Sequence, residues 1–90
     1  MTSFAVEILT PVRRVFTGEV ESLVLPGSEG SFGVLAGHVS LLAWLAAGRI
    51  MARQGAQEHY FHCGPGVADV DPKRVTVLVD SAEEDRPKQA

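Results

Sequence analysis

The sequence predicts an all-β domain, a flattened two-sheet β-sandwich or barrel built from many short strands. Three observations carry that expectation. Turn residues punctuate the chain roughly every eight to twelve residues, the spacing of a sandwich or barrel. The segments between them alternate apolar and polar side chains with a period of two. The run Val75 to Val79 (VTVLV) is the strongest β signal in the chain, because branched side chains fit a pleated surface.

The first strand is expected where Phe4, Val6 and Ile8 alternate with Ala5, Glu7 and Leu9. Thr10-Pro11 interrupts it, since proline brings no ladder donor. Val12 to Phe16 resumes an extended pattern, and Thr17-Gly18 is read as a turn. Glu19, Val20 and Glu21 alternate before Leu23, Val24 and Leu25 run on, as in a strand passing from half-buried to buried. Pro26-Gly27 closes that strand with a type II turn signature.

Pro26 to Leu42 (PGSEGSFGVLAGHVSLL) then carries Gly27, Gly30, Gly33 and Gly37. Glycine at that density marks backbone with positive φ or close approach, so these four are read as loop-shaping residues. Phe32, Val34, Leu35, Val39, Leu41 and Leu42 give the segment its own apolar anchors. A rigid loop of this kind presents backbone to a partner.

Leu41 to Ala47 (LLAWLAA) is too short for more than two helical turns and is read as an extended or one-turn lead into a strand. Arg49 to Arg53 and Glu58 to Cys63 flank Gln54-Gly55-Ala56-Gln57, expected as a four-residue hairpin loop. Gly64-Pro65-Gly66 punctuates the chain again. Val67 to Val70 is a short strand, and Asp71-Pro72-Lys73-Arg74 a turn before Val75. Residues 1–82 are expected to form one domain, with 83–90 a polar, frayed tail.

Bulk properties narrow the function. Ninety residues make a single domain, 46% hydrophobic and 21% charged, ordinary values for a chain with one core. A net charge of −3 and scattered arginines leave no basic face, which argues against a nucleic-acid partner. One cysteine, Cys63, cannot form an internal disulfide, so a reducing compartment is expected. The start has no charged region followed by an apolar one, hence no secretory signal. The longest nearly uncharged run, Ser31 to Gly48, is broken by His38, Ser40 and three glycines and is a poor membrane span.

Four candidate chemistries weaken on inspection. Gly27, Gly30 and Gly33 space as GxxGxxG, but no Gly-Lys-Ser/Thr follows to hold a phosphate and no long helix to receive one. His59, His62 and Cys63 suggest a metal site, with His38 as the remaining ligand. On a strand His59 and His62 face opposite sides, so an outward histidine and a small buried cysteine is the favoured reading. Cys63 lacks the base and oxyanion site that a nucleophile needs. Glu19/Glu21 reads as a solvated strand face and Glu83/Glu84 as tail. No cofactor, metal or catalytic residue is nominated. His38, among small and apolar neighbours, either bonds its own loop or sits at a protein interface.

The residues resemble a family. Leu25 to Leu42 (LPGSEGSFGVLAGHVSLL) is similar to the characteristic PGxEGxFGVLPGHAPLL segment of the epsilon subunit of F-type ATP synthases, the mitochondrial delta subunit. FAVEILTPVRRVFTGEVESLVLPG resembles its first strands, and GPGVADVDPKRVTVLVDSAE its SGGFLEVxxNxVTVLADxAE. Ala36 and Ser40 stand where the family has prolines, which removes two fixed φ angles; Pro65 replaces a glycine and Val67 a phenylalanine. The family continues into a two-helix hairpin that in some members binds ATP and inhibits hydrolysis. This sequence ends at Ala90, so those properties are not carried over.

The resemblance implies a non-catalytic central-stalk subunit that couples proton flow to ATP synthesis. Its partners would be the gamma subunit, the polar loops of the membrane c-ring and, through the complex, the catalytic head. It would lie on the cytoplasmic face of a bacterial inner membrane, touching the membrane only indirectly. The gamma-facing positions map to Thr10, His38, Leu42 and Ala43, and the ring-facing loop to Glu29, Gly30, Ser31 and Phe32. The alternative is a free-standing β-sandwich that binds a metal or small ligand through His38, His59, His62 and Cys63. Apolar surface around Leu41 to Leu45 would favour self-association where no partner covers it.

Overall fold

A computed structural model describes residues 2–85. Ten strands hold most of them: β1 (Phe4–Leu9), β2 (Arg14–Val20), β3 (Ser22–Gly27), β4 (Gly30–Leu35), β5 (Leu41–Leu45), β6 (Gly48–Gln54), β7 (Gln57–Cys63), β8 (Gly66–Val70), β9 (Arg74–Val79) and β10 (Ala82–Glu84). There is no helix among the described residues, and none long and apolar enough to cross a membrane. The all-β expectation holds.

Hydrogen bonding runs in the order β10-β7-β6-β3-β5-β8-β9-β1-β2, with β4 paired to β3. Two halves are visible in that order. β5, β8, β9, β1 and β2 form one layer, and β4, β3, β6, β7 and β10 the other. The ladder joins them through a single residue pair, Gly27 with Leu45. The open seam between β2 and β6 is closed by side chains. Phe16 lies edge-on to Phe61 with ring centroids 5.5 Å apart, and Gln54 Nε2 donates to the Glu19 carbonyl at 2.9 Å. All pairs are antiparallel except β1 with β9.

Alternation places the core. In β1 the buried Phe4, Val6 and Ile8 take turns with half-buried Ala5, Glu7 and Leu9. Val20, Leu23, Leu25, Ile50, Phe61, Val75 and Val77 complete an interior with no buried polar residue among those described. Each such side chain contributes about 2 kcal/mol of burial, the main term holding a domain of this size together.

Several local expectations are corrected. Thr17 and Gly18 lie inside β2, and the chain turns at Glu21 instead. Gly18 pairs with Val6 in the ladder, and a Cβ there would stand 2.9 Å from Gln54 Nε2. Most of the glycine segment is a β-hairpin, and only residues 36–40, with Gly37 and His38, stay outside the strands. Pro26 and Gly27 end β3, and the turn is Ser28-Glu29. Leu41 to Leu45 takes the extended one of its two expected forms and is itself a strand, not a lead into one. The β6–β7 hairpin forms with a shorter connection than expected, Gly55-Ala56; only Gly55 has a positive φ (59°), as a type II′ turn requires. Glu83 and Glu84 belong to β10, paired with His62 and Phe61, so they are not tail. Residues 86–90 of the expected tail lie outside the described residues.

Candidate functional site

At the tip of the β3–β4 hairpin, Gly27 pairs with Gly30 across the Ser28-Glu29 turn. A Cβ on Gly27 would stand 2.6 Å from the Gly30 carbonyl and 2.9 Å from the Phe32 ring, so only glycine fits. Gly30 and Gly37 take positive φ values of 129° and 79°, open to glycine at little cost. Gly33 does neither; a Cβ there would meet only the Leu23 carbonyl at 3.8 Å. Glu29, Gly30 and Ser31 are exposed, while Phe32 leans on the core. The hairpin is tied to β5 at its base, where Ser28 N donates to the Trp44 carbonyl and Ala46 N to the Pro26 carbonyl at 2.9 and 2.8 Å. Gly27 to Phe32, Ala43 and Trp44 thereby line one open groove.

The segment from β4 to β5 carries the second feature. His38 N donates to the Leu35 carbonyl at 3.2 Å and Gly37 N to the Pro72 carbonyl at 3.3 Å, so backbone bonds hold the segment in place. His38 Nε2 is buried without a hydrogen-bond partner among the described residues. Before and after it in the chain, large apolar side chains stand in solvent: Leu35 is 64% exposed, Val39 70%, Leu42 70% and Trp44 73%. Exposed apolar groups clustered this densely mark an interaction surface. Ala43 alternates with Leu42 and Trp44 and pairs with the buried Ala68, which puts its methyl on the opposite, inner side.

Thr10 lies in the β1–β2 turn, on the far side of β8 and β9 from Leu42. Its hydroxyl is occupied locally, donating to the Arg13 carbonyl at 3.3 Å and accepting from Arg13 N at 3.2 Å. Thr10 thus shapes its turn and offers a partner its methyl and the neighbouring Val12, which is 88% exposed.

His59, His62 and Cys63 do not converge. Half-buried His59 is 2.8 Å from Gln54 Oε1, and its Nδ1 is 3.6 Å from Glu84. Exposed His62 lies 2.9 Å from Asp85, which Arg49 also contacts at 3.2 Å. Cys63 is buried and free, its thiol pushed up by burial above all. No group of three His, Cys, Asp or Glu side chains is placed to hold a metal among the described residues. Sequence reasoning expected apolar surface around Leu41 to Leu45 without singling out Trp44, which is 73% exposed. The signal was there, since counting back by twos from the buried Leu45 turns Trp44 and Leu42 outward.

Residues 3–85 match the family model described as the β-sandwich domain of the ATP synthase delta/epsilon chain. The chain is similar to the ATP synthase epsilon chain of Caulobacter vibrioides, 37% identical over 84 residues that cover 93% of this chain and 98% of that one. It is 39% identical over 77 residues to the epsilon chain of Maridesulfovibrio salexigens, covering 86% of this chain and 54% of that protein. It thus spans about half the length of the latter relative. In the Euglena gracilis mitochondrial ATP synthase (OSCP, F1 and c-ring), one chain superposes with a TM-score of 0.86 at 21% identity, over 93% of this chain and 54% of that one.

Proposed function

The chain belongs to the ATP synthase delta/epsilon β-sandwich family, and from that membership we propose that it is a non-catalytic rotor subunit of the central stalk. It seats the gamma subunit through Leu42 and His38, with Thr10 and Ala43 at the margins of the seat. The Ser28-Glu29 turn, with Gly30, Ser31 and Phe32, rests on the polar loops of the c-ring. The subunit lies peripherally, at the cytoplasmic face of the membrane, and helps to couple proton translocation to ATP synthesis.

The observation that supports this most is the row of apolar side chains held in solvent on β5 and its approach, Val39, Leu42 and Trp44. They stand on a close-packed two-layer scaffold whose interior has no polar residue among those described. A torque-bearing part needs that combination: a stiff body and an adhesive face. Close packing resists deformation, so force entering at the hairpin tip leaves at β5 with little internal give.

The test is binding of the gamma subunit from the same genome. His38→Glu and Leu42→Glu should each weaken the complex at least about tenfold, since a charge would be buried against apolar surface. Unchanged affinity in both variants, with native melting curves, would overturn the assignment of this face.

A further inference from the structure

A relay of hydrogen bonds crosses the seam between the two layers and ends at the last described strand. Gln54, at the end of β6, donates from Nε2 to the Glu19 carbonyl of β2 at 2.9 Å. A carbonyl only accepts, so the amide is oriented and Oε1 is the end left over. That oxygen lies 2.8 Å from Nε2 of the half-buried His59 on β7. Because Oε1 also only accepts, His59 Nε2 carries a hydrogen. The other ring nitrogen, Nδ1, lies 3.6 Å from the Glu84 carboxylate on β10. In the neutral imidazole Nδ1 therefore turns a lone pair toward an anion. Only in the charged imidazolium does it turn an N–H that way.

We propose that His59 is a proton-operated latch for β10, engaged when Nδ1 is protonated and released when it is not. Histidine is the side chain whose charge ordinarily changes between about pH 5 and 8. Glu84 is the one acidic group in ion-pair contact with His59 among the described residues. The other groups against the ring are neutral: the Gln54 amide of β6, and Phe16 of β2 with its ring centroid 5.4 Å away. Glu58 of β7 alternates to the opposite face, where it accepts from Tyr60 Oη. His62, on that same outer face, behaves differently. It meets Asp85 through Nε2 at 2.9 Å, beside Glu83 and Arg49 on the paired strands, and Nε2 can donate with or without the second proton. What the latch governs is the cover over Cys63. Ala82 of β10 pairs with Cys63, and both are buried, at 8% and 7% exposure. With Nδ1 protonated β10 stays down; with Nδ1 bare it opens more often and the thiol meets solvent. The proposal stands apart from the rotor reading, and this chain alone tests it.

Cys63 is the only cysteine, so a thiol reagent reports on the opening of β10 by itself. The full chain and its Glu84→Gln variant are labelled side by side at about pH 6 and about pH 8, across the range where histidine changes charge. Taking the ratio of the two rates at each pH cancels the thiolate chemistry common to both. The variant should label about threefold faster than the parent at the lower pH and no faster at the higher one, the effect of one partly exposed ion pair. His62→Gln should preserve that contrast. A variant-to-parent ratio that is the same at both pH values overturns the latch. So does nitrogen NMR showing that neutral His59 carries its hydrogen on Nδ1.

Discussion

Gly33 and Gly66 show how differently two glycines can matter in one small domain. A Cβ on Gly66 would overlap the Leu78 carbonyl and stand 2.7 Å from Val79 Cα, both rigid backbone; on Gly33 it would make only an ordinary contact with the Leu23 carbonyl at 3.8 Å. Gly66→Ala should therefore cost at least about 2 kcal/mol by overpacking, while Gly33→Ala should be neutral or stabilising by about 0.5 kcal/mol. Urea denaturation of the two variants checks this, and equal midpoints would contradict it. Cys63 gives a pH prediction. Burial first, and Asp80 after it, raise the thiol above its ordinary 9.0, against a backbone hydrogen bond at Gly48 that lowers it. The native state thus holds this proton more tightly than the unfolded chain. The associated stability is full below pH 9.0 and is lost as pH rises through the higher native value. Cys63→Ala removes that loss, so its stability should fall less steeply above pH 9.0 than that of the parent. Tyr60, also raised, titrates in both chains and drops out of the difference. Parallel slopes would show that the thiol is not held protonated.

Among the elements, β10 is a three-residue edge strand paired only with β7. Ala82 is 8% exposed and pairs with Cys63, and Asp85 N donates to the Tyr60 carbonyl, which fastens the strand to the edge of β7. The ion pairs Arg49–Asp85 and His62–Asp85 are solvent-facing and contribute less than about 1 kcal/mol each. Ala82→Asp should therefore destabilise by about 2 kcal/mol or more through burial of a charge, and speed hydrogen exchange at Phe61 and Cys63. Asp85→Ala should do neither. Nothing in EEDRP could have announced β10, because an acidic strand end owes its conformation to the neighbour it pairs with. The same reason explains Thr17-Gly18, where a turn dipeptide is kept in a strand by its pairing with β1. By contrast β1, β9 and the β6–β7 hairpin were legible, since alternation and turn chemistry there agree with the tertiary pairing. For the candidate site, the glycine spacing predicted a loop, where the β3–β4 hairpin and a short connection to β5 stand. Trp44 was legible only once β5 was known to be a strand.

At the scale of the whole molecule, the two layers meet in the ladder only at Gly27 with Leu45, and side chains of Phe16, Phe61 and Gln54 close the opposite seam. That arrangement leaves the outward face of β5, β8, β9 and β1 broad and free, with the hairpin tip at its margin. A rotor part that joins two neighbours needs two such adjacent surfaces on one stiff body. The most direct measurement is co-expression with the gamma subunit of the same genome, followed by size-exclusion chromatography with mass detection. A complex with one copy of each chain, lost in Leu42→Glu, is the result expected of a stalk subunit. Separate elution of two folded proteins would contradict the rotor role and leave the chain with the family's fold alone.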